Sequence, residues 1–313
     1  MSPRHVYDAI VLGGGPAGLS AALMLGRSRR STLVLDAARP RNRFASHMHG
    51  VLGNEGVDPA TLLERGRAEI ASHGVEYQLA AAHEVTGAAH GLEVILEGAA
   101  LSTRALVLAT GARDQLPHIN GLAERWGHTV LHCPYCHGWE VRDQRLGVLI
   151  TSPLQAHLPF LLRQLSDRVA VFASNASALD ASTRARLEAR EITVIDAGLT
   201  SLEGPARVLE YATTSAGERV PLDALFAGGT VSPHDAMLAG LDLERDESPS
   251  GSFLTIDQTG KTSHPRIWAA GNVVTPHANV PMSMGAGTMA GAAVNATLAE
   301  EDADASHARH THR

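Results

Sequence analysis

Cysteine is almost missing from this chain: Cys133 and Cys136 are the only two in 313 residues. A four-cysteine zinc site is therefore excluded, because no second pair exists to complete it. His132 and His137 adjoin the two cysteines directly, too close in sequence to surround one ion with them. A basic surplus is missing too. The formal charge is −7 and the pI is about 6.2, which gives no electrostatic reason to expect nucleic acid. No apolar run is long enough to span a bilayer, so no membrane partner is expected. No signal peptide precedes the first strand, at Tyr7–Leu12, and a cytoplasmic protein is the expectation. Aromatic residues number 12, as 3 Trp, 4 Tyr and 5 Phe. Ala and Gly are abundant instead, as in tightly packed α/β proteins with many glycine turns. The length suggests two domains, each with its own core.

The two cysteines stand as Cys133-Pro134-Tyr135-Cys136. This spacing lets two thiols close and reopen a small disulfide ring. Pro134 suits the first turn of a helix, where backbone N–H groups and the helix dipole favour a thiolate. The alternatives are half of a metal site or two buried apolar cysteines. In a cytosolic setting a C-x-x-C is more often catalytic than structural.

Near the N-terminus, Tyr7–Leu12 reads as a buried parallel strand and Gly13-Gly14-Gly15-Pro16-Ala17-Gly18 follows at once. An Ala-rich helix comes next, and a second strand, Thr32–Asp36, ends in an acid. Gly13, Gly15 and Gly18 thus fit G-x-G-x-x-G between a strand and a helix. The pyrophosphate of a dinucleotide would lie on the helix N-terminus. Asp36, 21 residues after Gly15, is placed to accept from a ribose hydroxyl. Arg39 to Arg43 forms a basic turn, lying near the adenosine side or simply solvated. Asp58-Pro59 caps a helix running to about His73. Strands are expected at Val75–Leu79, Glu84–Ala88, Leu92–Leu96 and Ala100–Ala105. Leu106-Val107-Leu108-Ala109-Thr110-Gly111-Ala112-Arg113 reads as another buried strand ending in a glycine turn.

A second domain begins near His118, with its first clear strand at Arg145 to Ile150. What it lacks is informative. A nicotinamide nucleotide site needs glycines just after this strand, yet the sequence reads Ile150-Thr151-Ser152-Pro153-Leu154-Gln155. Pro153 has no N–H to offer a phosphate. Ser174-Asn175-Ala176, after the next strand, lacks the arginines that would hold a 2′-phosphate. A helix over 180–190, a strand over 192–196 and a hairpin-like stretch over 199–221 complete this domain. Phe253–Ile256 with Gly260 reads as a hairpin, and Gly285 to Leu298 as a long closing helix. From Glu300 the chain is charged and His-rich without an apolar face, and reads as a solvated tail.

Taken together, Gly13–Gly18, Ala109-Thr110-Gly111-Ala112, Cys133–Cys136 and Ala270-Gly271-Asn272-Val273 resemble the low-molecular-weight thioredoxin reductases over about residues 6 to 298. The fold this resemblance implies is α/β, with two Rossmann-like three-layer domains. The FAD domain would cover 1–117 and 234–300, split by an inserted, degenerate NADPH-type domain over 118–233 that carries the C-x-x-C. Residues 301–313 would be a flexible tail. The implied cofactor is FAD, held by Gly13, Gly15, Pro16, Ala17, Gly18, Asp36, Arg43, Asn54, Thr110, Gly111, Gly271, Asn272, Asn279 and Val280. The usual assembly is a homodimer through the FAD domains.

Within that family the chain is more similar to the dithiol oxidases of disulfide natural products, of the holomycin and gliotoxin type. His137 stands after the second cysteine where reductases usually have Asp, and His49-Gly50-Val51-Leu52-Gly53 also looks like that branch. Asn272 replaces a common Asp, and Asn279 replaces a Gln. The resemblance implies Cys133, Cys136 and His137 as the catalytic residues. Cys133 would meet the substrate, Cys136 would lie beside the flavin, and His137 would be a general base or merely pack within its helix. Glu140 would orient His137 or be solvated, and His277 would approach the flavin edge. The implied reaction takes a small-molecule dithiol and O2 to a disulfide and hydrogen peroxide. The alternatives are a disulfide reductase fed by NADPH or another donor, and a flavin-binding redox sensor.

Overall fold

The computed structural model describes residues 5–88, 91–173, 179–249 and 251–311. Ser174-Asn175-Ala176 and His312 lie outside the described residues. The chain forms two compact units. The first takes the described parts of 1–43, 59–113 and 231–313, and the second takes 44–58 and 114–230.

In the first unit, β1 (Val6–Leu12) leads through the glycine turn into α1 (Pro16–Arg27), then β2 (Thr32–Asp36). α2 (Pro59–Ser72) and β3 (Glu76–Leu79) follow, then β4 (Glu84–Ala88), β5 (Gly91–Leu96) and β6 (Ala99–Leu108). The two strands expected over 100–109 are one continuous strand. Its first half pairs antiparallel with β5 and its second half parallel with β1. β1 and β2 read as unbroken apolar runs because parallel strands are covered on both faces. One apolar cluster, including Ala9, Val11, Ala21, Leu25 and Val107, lies on one face of the sheet. Another, including Ile10, Leu12, Leu35, Val94 and Leu108, lies on the other. Each fully buried aliphatic side chain there contributes roughly 1.5–3 kcal/mol of transfer free energy.

The second unit is also three-layered. Its parallel sheet comprises β7 (Val130–Leu131), β8 (Leu146–Ile150), β9 (Val169–Ala173) and β10 (Thr193–Ile195), and later β14. The pair Cys133–Cys136 follows β7, in α3 (Pro134–His137). α4 (Leu158–Leu162) and α5 (Ala181–Glu188) flank the sheet, and β11 (Leu199–Glu203), β12 (Tyr211–Thr214) and β13 (Arg219–Pro221) form an antiparallel meander. β14 (Ala224–Phe226) then inserts between β7 and β8.

The chain re-enters the first unit at Val231 and later forms the hairpin β15 (Arg245–Ser248) and β16 (Gly251–Leu254), so Phe253 lies on the hairpin's second strand. β17 (Ile267–Ala269) joins β6 in parallel, and α6 (Val280–Thr311) closes the unit. This makes the sheet seven-stranded among the described residues, in the order β3-β2-β1-β6-β5-β4 with β17 also on β6.

Two boundaries differ from expectation. Residues 44–58 belong with the second unit rather than the first. Phe44 packs on Gly127, where an added Cβ would lie 2.7 Å from the Phe44 Cβ. His49 bonds to Glu55 and faces Glu140. The expected tail is also wrong in form, because α6 continues through it. Ala, Glu and Asp sustain the helix there, and Glu301 and Asp302 tie it to Arg30, Arg104 and Arg266.

Candidate functional sites: a dinucleotide cradle and a polarised cysteine pair

The glycine turn of the first unit is built by close approach. An added Cβ at Gly13 would lie 2.3 Å from the Ala109 carbonyl oxygen, and one at Gly18 would lie 1.8 Å from that of Gly13. At Gly14 it would lie 2.6 Å from the Asp36 carboxylate. Those three glycines are thus required by the protein's own atoms. Gly15 is different. It has φ −78° at the N-cap of α1, and nothing lies within 4 Å of its Cβ direction. An open, side-chain-free surface at the positive end of a twelve-residue helix fits a dinucleotide pyrophosphate. Pro16 fills the first helical position without losing a hydrogen bond, and Ala17 and Gly18 complete the turn.

The remaining expected cofactor residues of this unit fall at strand ends around the same sheet. Asp36 ends β2. Thr110 and Gly111 follow β6, where the Thr110 hydroxyl donates to the His234 carbonyl at 2.5 Å and the His234 amide donates to that of Gly111. Gly271 (φ +81°) and Asn272 follow β17. The Asn272 amide nitrogen donates to the carbonyls of Thr275, Pro276 and Ala278 at 3.1, 3.3 and 2.8 Å. An aspartate could accept but not donate, which accounts for Asn here. Arg41, which sequence reasoning left unassigned, also donates to the Pro276 carbonyl at 2.6 Å. Asn279 uses its side-chain oxygen to cap α6, accepting from the Met282 amide at 3.1 Å, and Val280 starts the helix.

Arg43 donates to the Pro40 carbonyl within the basic turn. Burial and then the Arg113 guanidinium push His234 below the ordinary imidazole range, with Arg39 and Arg43 adding to the effect. Arg113 and His234 carried no sequence signal, because their positive neighbours come from distant segments. Asn54 lies in the 44–58 segment of the second unit, where its backbone closes a turn with Val51 and Val57.

In the second unit, Cys133 is the N-cap of α3 and Pro134 its first residue. Gly138 closes the turn, and a Cβ there would meet Leu165 at 2.4 Å. The sulfurs of Cys133 and Cys136 are 2.9 Å apart, with the Cys136 S–H donating to Cys133. That bond, joined by the amides of Cys136 and Tyr135, lowers the Cys133 thiol to about 6 against the opposing effect of burial. The same bond, burial and the neighbouring negative charge push Cys136 up. The pair is therefore polarised, with its first thiolate on Cys133 and its proton retained on Cys136.

Burial also pushes His137 below the ordinary imidazole range, partly offset by Glu140. His49, from the 44–58 segment, bonds to Glu55 through Nδ1 at 2.7 Å and faces Glu140 through Nε2 at 3.5 Å. The sequence left Glu140 open between two roles and gave His49 none. Their proximity arises from packing across 91 residues and has no local pattern.

The turn after β8 explains the missing glycines. The side-chain oxygen of Gln155 accepts from the amides of Thr151 and Ser152 at 2.8 and 3.2 Å, and from the Thr151 hydroxyl at 3.1 Å. Ser152 and Gln155 form a reciprocal capping box. In doubly wound domains a ligand anion lies at the carboxyl ends of the strands. Here the amides of Thr151 and Ser152 already bond to a side-chain carbonyl of the protein. Among the described residues no group of three or more His, Cys, Asp or Glu could hold a metal ion, and no helix is long and apolar enough to cross a membrane.

A split α/β unit with a glycine cradle and an inserted unit carrying a redox-competent dithiol define a flavin disulfide oxidoreductase. The chain belongs to the pyridine nucleotide-disulphide oxidoreductase family, whose sequence model matches residues 7–291. FAD is its cofactor, and the residues of the cradle fit it. The chain is similar to thioredoxin reductase tcpT of Claviceps purpurea, 30% identical over 93% of this chain and 94% of that one. Thioredoxin reductase sirT of Leptosphaeria maculans is 27% identical over 93% and 94%. The crystal structure of HlmI superposes with a TM-score of 0.91 at 40% identity, covering 99% of this chain and 98% of that one.

Proposed function

We propose that this protein is a dithiol oxidase, closing a disulfide within a small natural-product dithiol. The observation that carries the direction is Gln155. The turn where a nicotinamide nucleotide would anchor a phosphate is filled by the protein's own carbonyl, so electrons enter at the cysteines instead. The likeness to HlmI at 40% identity and to proteins named thioredoxin reductase tcpT and sirT supports the wider class of flavin disulfide oxidoreductase chemistry.

The cycle starts from the Cys133–Cys136 disulfide. A substrate thiolate attacks the Cys133 sulfur, forming a mixed disulfide and releasing Cys136. Cys136 leaves as a thiolate and takes up a proton, since its burial disfavours the charge. Neutral His137 removes the proton from the substrate thiol and supplies it there. Glu140 and His49 hold the imidazole's surroundings polar. The second substrate thiolate then attacks the substrate sulfur of the mixed disulfide, closing the product S–S bond and expelling Cys133. Its lowered pKa makes Cys133 the better leaving group in this step. The substrate loses two electrons and two protons, and the cysteine pair gains two electrons. When bound, FAD supplies a two-electron acceptor for the reduced pair, which O2 recharges with release of hydrogen peroxide. Gly13, Gly15, Pro16, Ala17, Gly18 and Asp36 would hold its adenosine and pyrophosphate half. Thr110, Gly111, Gly271, Asn272, Asn279 and Val280 would hold the rest, with Arg43 and Asn54 added by the resemblance alone. By resemblance the protein works as a cytoplasmic homodimer.

The test is an anaerobic spectral titration of the holoenzyme. A small dithiol should bleach the bound flavin, and air should restore its colour with peroxide release. NADPH should leave the spectrum unchanged. Rapid bleaching by NADPH would instead establish the reductase reading.

A further inference from the structure

The cradle contains one contact that the glycine-and-acid pattern does not contain. The Tyr77 hydroxyl, from β3, donates to Oδ2 of Asp36 at 2.6 Å. The other oxygen, Oδ1, accepts from the amide of Ala38 at 3.1 Å. Ala38 adopts φ +54°, an unfavourable conformation for a residue with a Cβ, which bends the backbone so that this amide lies two residues beyond its acceptor. Gly14 lies on the third side, with its Cβ direction 2.6 Å from Oδ2. Asp36 is thus fixed at both oxygens and pressed against the glycine turn. An ionised carboxylate offers about four lone-pair positions, so each oxygen retains one for a ligand. The ring of Tyr77 is itself held, with the Arg67 guanidinium of α2 5.8 Å from its centroid.

We propose that Tyr77 is a positioning residue for cofactor binding: its hydroxyl aims the Asp36 carboxylate at the ribose hydroxyls of the adenosine half. This rests on the reading of Asp36 as the ribose acceptor. The bond serves that end because a phenol donating to a carboxylate is a charge-assisted hydrogen bond, and it draws one lone pair of Oδ2 out of competition. The carboxylate then cannot rotate about its Cβ–Cγ bond without breaking two bonds at once. Burial and the adjoining carboxylate push the Tyr77 phenol up to about 12, so it remains a donor at every pH at which the protein would be used.

The test uses the full chain stripped of flavin, titrated calorimetrically with ADP, 2′-deoxy-ADP and 3′-deoxy-ADP. The wild type should prefer ADP over the analogue missing the contacted hydroxyl by about tenfold, as one hydrogen bond to a charged group gives. Tyr77→Phe keeps the ring and removes only the hydroxyl. It should cut that preference to about threefold or less, chiefly by weakening ADP. The preference is a ratio within each variant, so a general loss of stability or affinity cancels. A purely structural Tyr77 would leave the ratio at its wild-type value, and that result overturns the proposal. Asp36→Ala separates the two ideas. If it abolishes the preference while Tyr77→Phe retains it, Asp36 binds ribose and Tyr77 does not position it. If Asp36→Ala itself retains the preference, the ribose reading fails and the proposal with it.

Discussion

The two sulfurs of the cysteine pair are chemically unequal although their side chains are identical. Cys133 is the N-cap of a helical turn, near the amides of Tyr135 and Cys136, and accepts from the Cys136 S–H, while Cys136 has a negative neighbour. This inequality has a direct readout. In the reduced enzyme, the rate of alkylation by iodoacetamide should rise with pH through a midpoint of about 6, with label on Cys133 by mass spectrometry. Cys136 should be labelled after Cys133, since the Cys133 thiolate holds its proton in place until that thiolate is consumed. The sign follows from the thiolate being the nucleophile: lowering the pKa exposes it at lower pH. A midpoint in the ordinary thiol range would remove the case for Cys133 as the better leaving group. The identity of this pair was legible because C-P-Y-C is local. So was the cradle, whose glycines and Asp36 sit at fixed spacings. Tyr77, 41 residues from Asp36, and His49 were not, because their partners are brought by the fold. Gln155 was legible only as absent glycine. Its role as an occupant needed the turn's geometry.

Among the elements, α6 departs most from its sequence pattern. Its first half is close-packed by glycine. A Cβ at Gly287 or Gly291 would lie 2.0 or 2.5 Å from the carbonyls of Ala17 or Ala21 on α1. Small residues four apart on both helices therefore bring the backbones together beside the cradle. Beyond Leu298 no apolar stripe remains, and periodicity has nothing to report. Charge holds this part instead. Asp302 pairs with Arg30 and Arg104, and Glu301 with Arg104 and Arg266, while Arg30 and Arg104 also reach Asp8. The arginines lower the Asp302 carboxyl, and they lower Glu301 despite its burial. Carboxylates depressed in the folded state stabilise it above their unfolded pKa, and that contribution is lost as pH falls through the folded values. Glu301→Gln with Asp302→Asn should therefore lower the melting temperature at neutral pH by a few degrees, for about 1–2 kcal/mol from several half-exposed pairs. The gap from wild type should close as pH drops below the ordinary carboxylate range. A constant gap down to acid would mean that packing, not charge, fixes the helix. The strand Ala99–Leu108 has a related history. It read as two because its solvent-facing half alternates and its buried half does not, yet one backbone serves both pairings.

At the scale of the whole molecule, the two units are alike in architecture and opposite in what their strand ends offer. Each has a sheet with parallel central strands covered on both faces. The first opens its turn at Gly15 to solvent, while the second closes its turn with Gln155. Fold class was readable because apolar runs, glycine turns and their order repeat in both halves. The unequal use of the two halves was readable only from residues that break the pattern. One consequence can be counted. On the proposed reading, one bound flavin and one cysteine pair store two electrons each. Anaerobic titration of the oxidised holoenzyme should therefore consume two molecules of dithiol per chain before the flavin is fully bleached. Cys136→Ser cannot form the disulfide, and dithionite should bleach its flavin with a single two-electron equivalent. A dithiol should not bleach it at all, since the relay is broken. NADPH should register no binding to either form by equilibrium dialysis, because Gln155 occupies the amides and Pro153 offers none. A second nucleotide equivalent bound per chain would show that the closed turn reopens, and the electron source would then have to be reassigned to the nicotinamide side.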